Sequence, residues 1–170
     1  MDTVLGIDPG VSETGWAALR GGERPALAGS GLIRTRPDRP LAERLRLIHG
    51  EVSRLLERLR PQAVAIEEMF FLKAAHTIRG TLQARGVILL AAALAGCAIG
   101  EYNPRTVKAA LTSSGTAEKR QMQRLVSQTL GLDDLLRPDD VADAAAIALC
   151  HLRCGRIKRL RVLEMHGGRG

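Results

Sequence analysis

Two short apolar runs in this chain each end in an acid. Val4, Leu5 and Ile7 lead into Asp8 and are stopped at once by Pro9-Gly10, while Ala63-Val64-Ala65-Ile66 leads into Glu67. Apolar runs this short and dense read as strands buried on both faces. Pro cannot donate to a sheet ladder and Gly permits a tight turn, so the first run must end at Asp8. Between the two runs, Leu41, Leu45, Ile48, Val52, Leu55, Leu56 and Leu59 recur at helical spacing with Arg and Glu opposite them, and that helix ends before Pro61. Strand, crossover helix, strand is the unit that produces neighbouring parallel strands. Asp8 and Glu67 are therefore expected side by side at the carboxyl edge of a sheet, where open α/β sheets place their chemistry. Strands lie about 4.8 Å apart, so the two carboxylates can share one metal ion.

The remaining elements surround this pair. Thr14 to Leu19 and Leu27 to Thr35, separated by Gly21-Gly22-Glu23, extend the first strand into an antiparallel meander. From about His76 to Ala95 the chain is helical and apolar on most faces, with Gly80, Ala84, Gly86 and Ala91 to Ala93 as small residues. Such a helix is expected to be buried against the sheet or against another subunit. Cys97 to Tyr102 reads as a further strand. Asn103 before Pro104 supplies an N-cap and a first helical residue for a short helix carrying Arg105 and Lys108. Thr116 is placed to cap a helix that runs through Leu130 and ends at Gly131. Pro138 opens a last helix, to about Leu152. The sum is one α/β domain over residues 1–155 with a mixed five-stranded sheet, three strands antiparallel and then two parallel, flanked by helices. Residues 156–170 form a basic tail expected to be flexible in part.

The last helix carries the second pair of acids. Asp140 and Asp143 are three residues apart and share a face near its N-terminal end. Val141, Ala142 and Ala144 to Leu149 around them are apolar, which implies burial on nearly every side. The helix dipole and free amides stabilise each carboxylate by about 1 kcal/mol, against several kcal/mol of desolvation per ion. Basic side chains or a cation must supply the rest. Four carboxylates with no His or Cys at ligand spacing favour Mg²⁺ or Mn²⁺ over Zn²⁺. Two such ions suit the hydrolysis of a phosphodiester.

Singly, each acid has an ordinary reading: Asp8 as a turn residue, Glu67 and Glu68 as strand-end charges, Asp139, Asp140 and Asp143 as helix-start acids. Together, and with a net charge of +7 over 170 residues that favours a polyanionic partner, they point to a metal-dependent nuclease. Asp139 reads as a cap or solvated charge, and strand alternation turns Glu68 away from Glu67. Cys97, Cys150 and Cys154 fit no disulfide framework, and Cys150-His151 with Cys154 lacks a second ligand pair for zinc. With no membrane-length apolar run and no leader-like start, a cytoplasmic protein without a membrane partner is expected.

The ordered set of motifs resembles the RuvC family of Holliday-junction resolvases, within the ribonuclease H-like superfamily. It comprises Leu5-Gly6-Ile7-Asp8-Pro9-Gly10 with Thr14-Gly15, Ala65-Ile66-Glu67 with Phe70, Gln83-Ala84-Arg85-Gly86, Val107-Lys108, Ala117-Glu118-Lys119, and Asp140-Val141-Ala142-Asp143-Ala144. The opening motif alone is shared with actin-like kinases, and the set covers roughly residues 3 to 152. The resemblance implies a homodimeric, Mg²⁺-dependent endonuclease of recombination and repair that makes paired nicks of like polarity in a four-way DNA junction. Two ions per site are implied, with Mn²⁺ able to substitute. It implies that Asp8, Glu67, Asp140 and Asp143 are catalytic and metal-binding, although some members carry His in place of Asp140. Lys108 and Lys119 are implied beside the cleaved strand, and Phe70, Arg85, Lys108, Lys119 and Arg120 as DNA contacts. On physical grounds alone the lysines are equally solvated charges, and Phe70 a core residue. The family works with the branch-migration proteins RuvA and RuvB. The alternatives are a related nuclease acting on RNA precursors and an actin-like ATP-binding domain, which needs a second phosphate loop and a longer chain.

Overall fold

A computed structural model describes the backbone of residues 2–68, 75–112 and 118–167, and side chains within 2–68, 79–112 and 118–155. Strands β1 (Thr3–Asp8), β2 (Glu13–Arg20) and β3 (Ala26–Arg34) are followed by helix α1 (Leu41–Leu59), strand β4 (Ala63–Glu67) and helix α2 (Ala75–Leu94). Strand β5 (Ala98–Tyr102) and helices α3 (Pro104–Thr112), α4 (Lys119–Leu130) and α5 (Asp139–Gly167) complete the chain. The sheet order is β3-β2-β1-β4-β5, with β1 and β3 antiparallel to β2 and the β1–β4 and β4–β5 pairs parallel. This is the mixed sheet expected, and β1 is its central strand.

The alternation along β1 sorts the core into two layers. Leu5 and Ile7 pack with Val64, Ile66, Ile48, Val52 and Ile88 under α1 and α2. Val4 packs with Ala17, Ala63, Ala65 and the Ala144–Cys150 stretch of α5. Period-two alternation then puts Gly6 and Asp8 with Val4, and Glu67 with Ala63 and Ala65, on the face that α5 covers. Gly6 is required there. A Cβ on it would lie 2.1 Å from the Ala144 carbonyl oxygen and 2.9 Å from the Ala148 Cβ.

Local signals mostly act as anticipated. The Asn103 side chain accepts a 2.8 Å hydrogen bond from the Thr106 amide, capping α3. Gly131 closes α4 in the left-handed conformation, φ 65°, and the Leu132 amide donates back to the Ser127 carbonyl at 2.9 Å. Three details differ. Glu118 occupies the N-cap position of α4 without a side-chain cap bond, and the expected cap Thr116 lies outside the described residues. Helix α2 is covered on one side: Ala84, Ile88, Ala91 and Ala92 are buried, but Leu90 and Leu94 are 54% and 73% exposed. Helix α5 continues past the expected end near Leu152 to Gly167. Gly155 falls inside it, and one Gly weakens a helix by only about 1 kcal/mol. Among the described residues, no helix is long and apolar enough to cross a membrane.

Candidate active site

The ladders place the first two acids. Gly6 pairs with Ala65 and Ile7 with Ile66, so Asp8 and Glu67 follow at the next step of the same register on neighbouring parallel strands. The turn after Asp8 is closed by the fully buried Thr14, whose hydroxyl donates to the Gly10 carbonyl at 2.6 Å. On β2, Asp8 pairs with Gly15. A Cβ on Gly15 would lie 2.1 Å from the Asp140 carbonyl oxygen, so the first turn of α5 lies directly on the strand beside Asp8. Positions 140, 144 and 148 of α5 thus meet the sheet through Gly15 and Gly6. Asp143 is displaced toward β4 and lines a cavity of about 210 Å³ with Glu67, Lys108, Lys119, Pro104, Val107, Met122, Ala146 and Ile147.

The four carboxylates act on one another. Burial pushes the Asp8 carboxyl up to about 8, and the charges of Glu67, Asp143 and Asp140 add to the rise. Burial and then Asp143 raise Glu67. Burial, then Glu13 and Asp143, raise Asp140. Asp143 is also raised by burial, in spite of Lys119. The Lys119 ammonium stands 3.3 Å from both Asp143 Oδ2 and Asp139 Oδ2. Burial works against this ammonium, but the Asp143 charge and the hydrogen bonds to Asp139 and Asp143 outweigh it and raise its pKa.

Other expected contacts divide. Lys108 lines the same cavity and its charge is felt at Asp143. Arg120 is exposed on α4. Arg85 points inward instead, 15% exposed, with Nε donating to the Glu67 carbonyl at 3.0 Å and Nη2 to the Glu101 carboxylate. Phe70 lies outside the described residues. Sequence reasoning missed Asp139 as more than a cap: it accepts from Gln123 Nε2 at 2.8 Å, which with Lys119 lowers its pKa, and so ties α4 to α5. The i, i+4 spacing of Lys119 and Gln123 on one face of α4 was the available signal.

As placed, no three His, Cys, Asp or Glu side chains among the described residues form a group that could hold a metal ion. The chemistry of the set nevertheless fits a hard divalent cation. All four donors are carboxylate oxygens, and the raised Asp8, Glu67, Asp140 and Asp143 are acids whose joint ionisation needs an opposing positive charge.

A sheet in this order, with acids ending its central parallel pair and an acid-bearing helix laid across them, defines the ribonuclease H-like class of nucleases. The family model described as Crossover junction endodeoxyribonuclease RuvC matches residues 4–151. The chain belongs to the RuvC family. It is 44% identical over 151 residues to the crossover junction endodeoxyribonuclease RuvC of Endomicrobium trichonymphae, covering 88% of this chain and 80% of that one. The Thermus thermophilus RuvC structure superposes with a TM-score of 0.86 at 36% identity, over 92% of this chain and 96% of that one. The T. thermophilus RuvC in complex with a Holliday junction substrate gives 0.84 at 35% identity, over 91% and 96%.

Proposed function

We propose that this chain resolves four-way DNA junctions by paired, symmetric nicks, using two Mg²⁺ ions held by Asp8, Glu67, Asp140 and Asp143. The carrying observation is that Glu67, Asp143 and Asp140 all act on Asp8 and, with burial, raise it to about 8. In this reading Asp8 is the central ligand of the set, and Mn²⁺ has the same oxygen preference. Two divalent ions held there would supply a water-derived nucleophile and neutralise the leaving oxygen. The chain's own residues do the rest. Asp8 and Glu67 hold their oxygens at fixed strand ends, Asp140 and Asp143 close the site from α5, and Lys119 and Lys108 place positive charge where the cleaved phosphate enters. Arg120 and Phe70 contact DNA in this reading.

Two like nicks need two active sites, and a homodimer supplies them; the uncovered Leu90 and Leu94 on α2 support docking of a second copy. Action with RuvA and RuvB, a cytoplasmic location, and the division into a nuclease domain over 1–155 and a basic tail over 156–170 belong to the same proposal.

The test is cleavage of a synthetic four-way junction, in parallel with duplex, single-stranded and RNA substrates. Wild type with Mg²⁺ should yield nicked duplexes from the junction, and Asp8→Asn should bind the junction without cutting it. Equal cutting by the two removes Asp8 from the chemistry. Preference for RNA restores the RNA-precursor nuclease.

A further inference from the structure

Arg85 sits one layer behind the acids. Two nitrogens of its planar fork are used: Nε donates to the Glu67 carbonyl at 3.0 Å and Nη2 to the Glu101 carboxylate. Glu67 is the last residue of β4, and Glu101 stands next to the end of β5 in the adjoining ladder. Arg85 therefore ties α2 to two neighbouring strand ends at once. The same helix also meets the loop after Asp8, because a Cβ on Gly80 would lie 2.9 Å from Val11 Cγ1. A phosphate contact needs the guanidinium turned to solvent, whereas this side chain is 15% exposed and its Nε and Nη2 donors are engaged by protein.

We propose that Arg85 is a positioning residue for Glu67: by fixing the carbonyl end of β4 against Glu101 it sets where the Glu67 carboxylate stands toward the divalent cation. This takes the place of the DNA contact expected for it and rests on the metal-dependent reading above. Groups that orient a ligand in this way typically change metal affinity about 10- to 100-fold when removed. Lys keeps the charge but loses the fork, so it cannot bond both partners in the same plane.

The experiment measures Mn²⁺ binding to the DNA-free protein by electron paramagnetic resonance, alongside the salt dependence of junction binding in EDTA, for wild type, Arg85→Ala, Arg85→Lys and Glu101→Gln. Both Arg85 variants should bind Mn²⁺ about tenfold more weakly, with junction affinity and its salt slope unchanged. Cleavage should recover as Mg²⁺ is raised. Unchanged Mn²⁺ binding overturns the proposal, as does a salt slope lowered by about one in Arg85→Ala and restored by Lys, the signature of a phosphate contact. Should Arg85→Ala fail to fold by circular dichroism, Glu101→Gln and Arg85→Lys decide on the same Mn²⁺ readout. Failure of wild type to cut a junction would count against the proposed function while leaving the Mn²⁺ comparison to decide Arg85.

Discussion

Gly15 and Asp140 meet backbone to side-chain position: a Cβ on Gly15 would stand 2.1 Å from the Asp140 carbonyl oxygen and 2.9 Å from its Cβ. Backbone atoms cannot give way as the tip of a flexible side chain can. Gly15→Ala should therefore lift the first turn of α5 from β2 and move Asp140 away from Asp8. Junction cleavage is expected to fall at least about tenfold while junction binding is retained, since a misplacement of about 1 Å costs on the order of 100-fold in rate. Cleavage at the wild-type rate would mean that Asp140 need not hold this position.

The acid cluster predicts an unusual dependence of stability on pH. The folded Asp8 carboxyl titrates at about 8 against an ordinary 3.8, so between these values the folded state holds a proton that the unfolded chain has released. Stability of the metal-free protein must then fall as pH rises from about 4 to 8 and level off above. Glu67, Asp140 and Asp143 shift in the same direction. Thermal melts in EDTA across this range should show the fall in wild type and a shallower one in Asp8→Asn. Parallel curves for the two proteins would refute the assignment.

Lys119 is half exposed, so its ion pairs stabilise the fold by no more than about 1 kcal/mol. Its worth lies in position. Lys119→Ala should leave the melting temperature nearly unchanged and slow cleavage about 100- to 1,000-fold, the range for losing a charge-stabilising donor. Asp139→Asn should act more mildly, because Asp143 still holds the ammonium. Single-turnover rates on a junction separate the two, and an undiminished rate in Lys119→Ala returns it to the solvated surface.

Asn103 holds the start of the helix that carries Lys108 through its bond to the Thr106 amide. Asn103→Ala should cost about 1 kcal/mol in urea unfolding, with a smaller loss of cleavage than the Lys119 variant. A cost near zero would show that Pro104 alone starts the helix.

The acids were legible because the sequence periods that reveal strands and helices also fix direction. Once Val4 to Asp8 opens a meander whose third strand runs parallel to it, and a helix leads from that strand to Ala63–Glu67, handed crossover geometry leaves little choice but to align the two acid ends. Asp140 and Asp143 were legible from the apolar residues around them, which made unpaired charges untenable. What could not be read was a long-range bond to a backbone atom. Arg85 donates to the carbonyl of Glu67, a group every residue has, and so leaves no trace in side-chain spacing. The contact between Lys119 and Asp139 was hidden for a related reason. Their contact crosses between α4 and α5, and the packing of those helices depends on Met122, Val126 and Leu130, whose pattern gives amphipathicity but not the partner.

At Gly6, backbone of β1 and backbone of α5 touch with no side-chain layer between them. Soft parts are absent from that seam, so relative sliding of strand and helix is opposed by hard-core repulsion rather than by rotamer changes. The scissors are in effect riveted at the pivot. Geometric adaptation during cutting must then come from outside this seam.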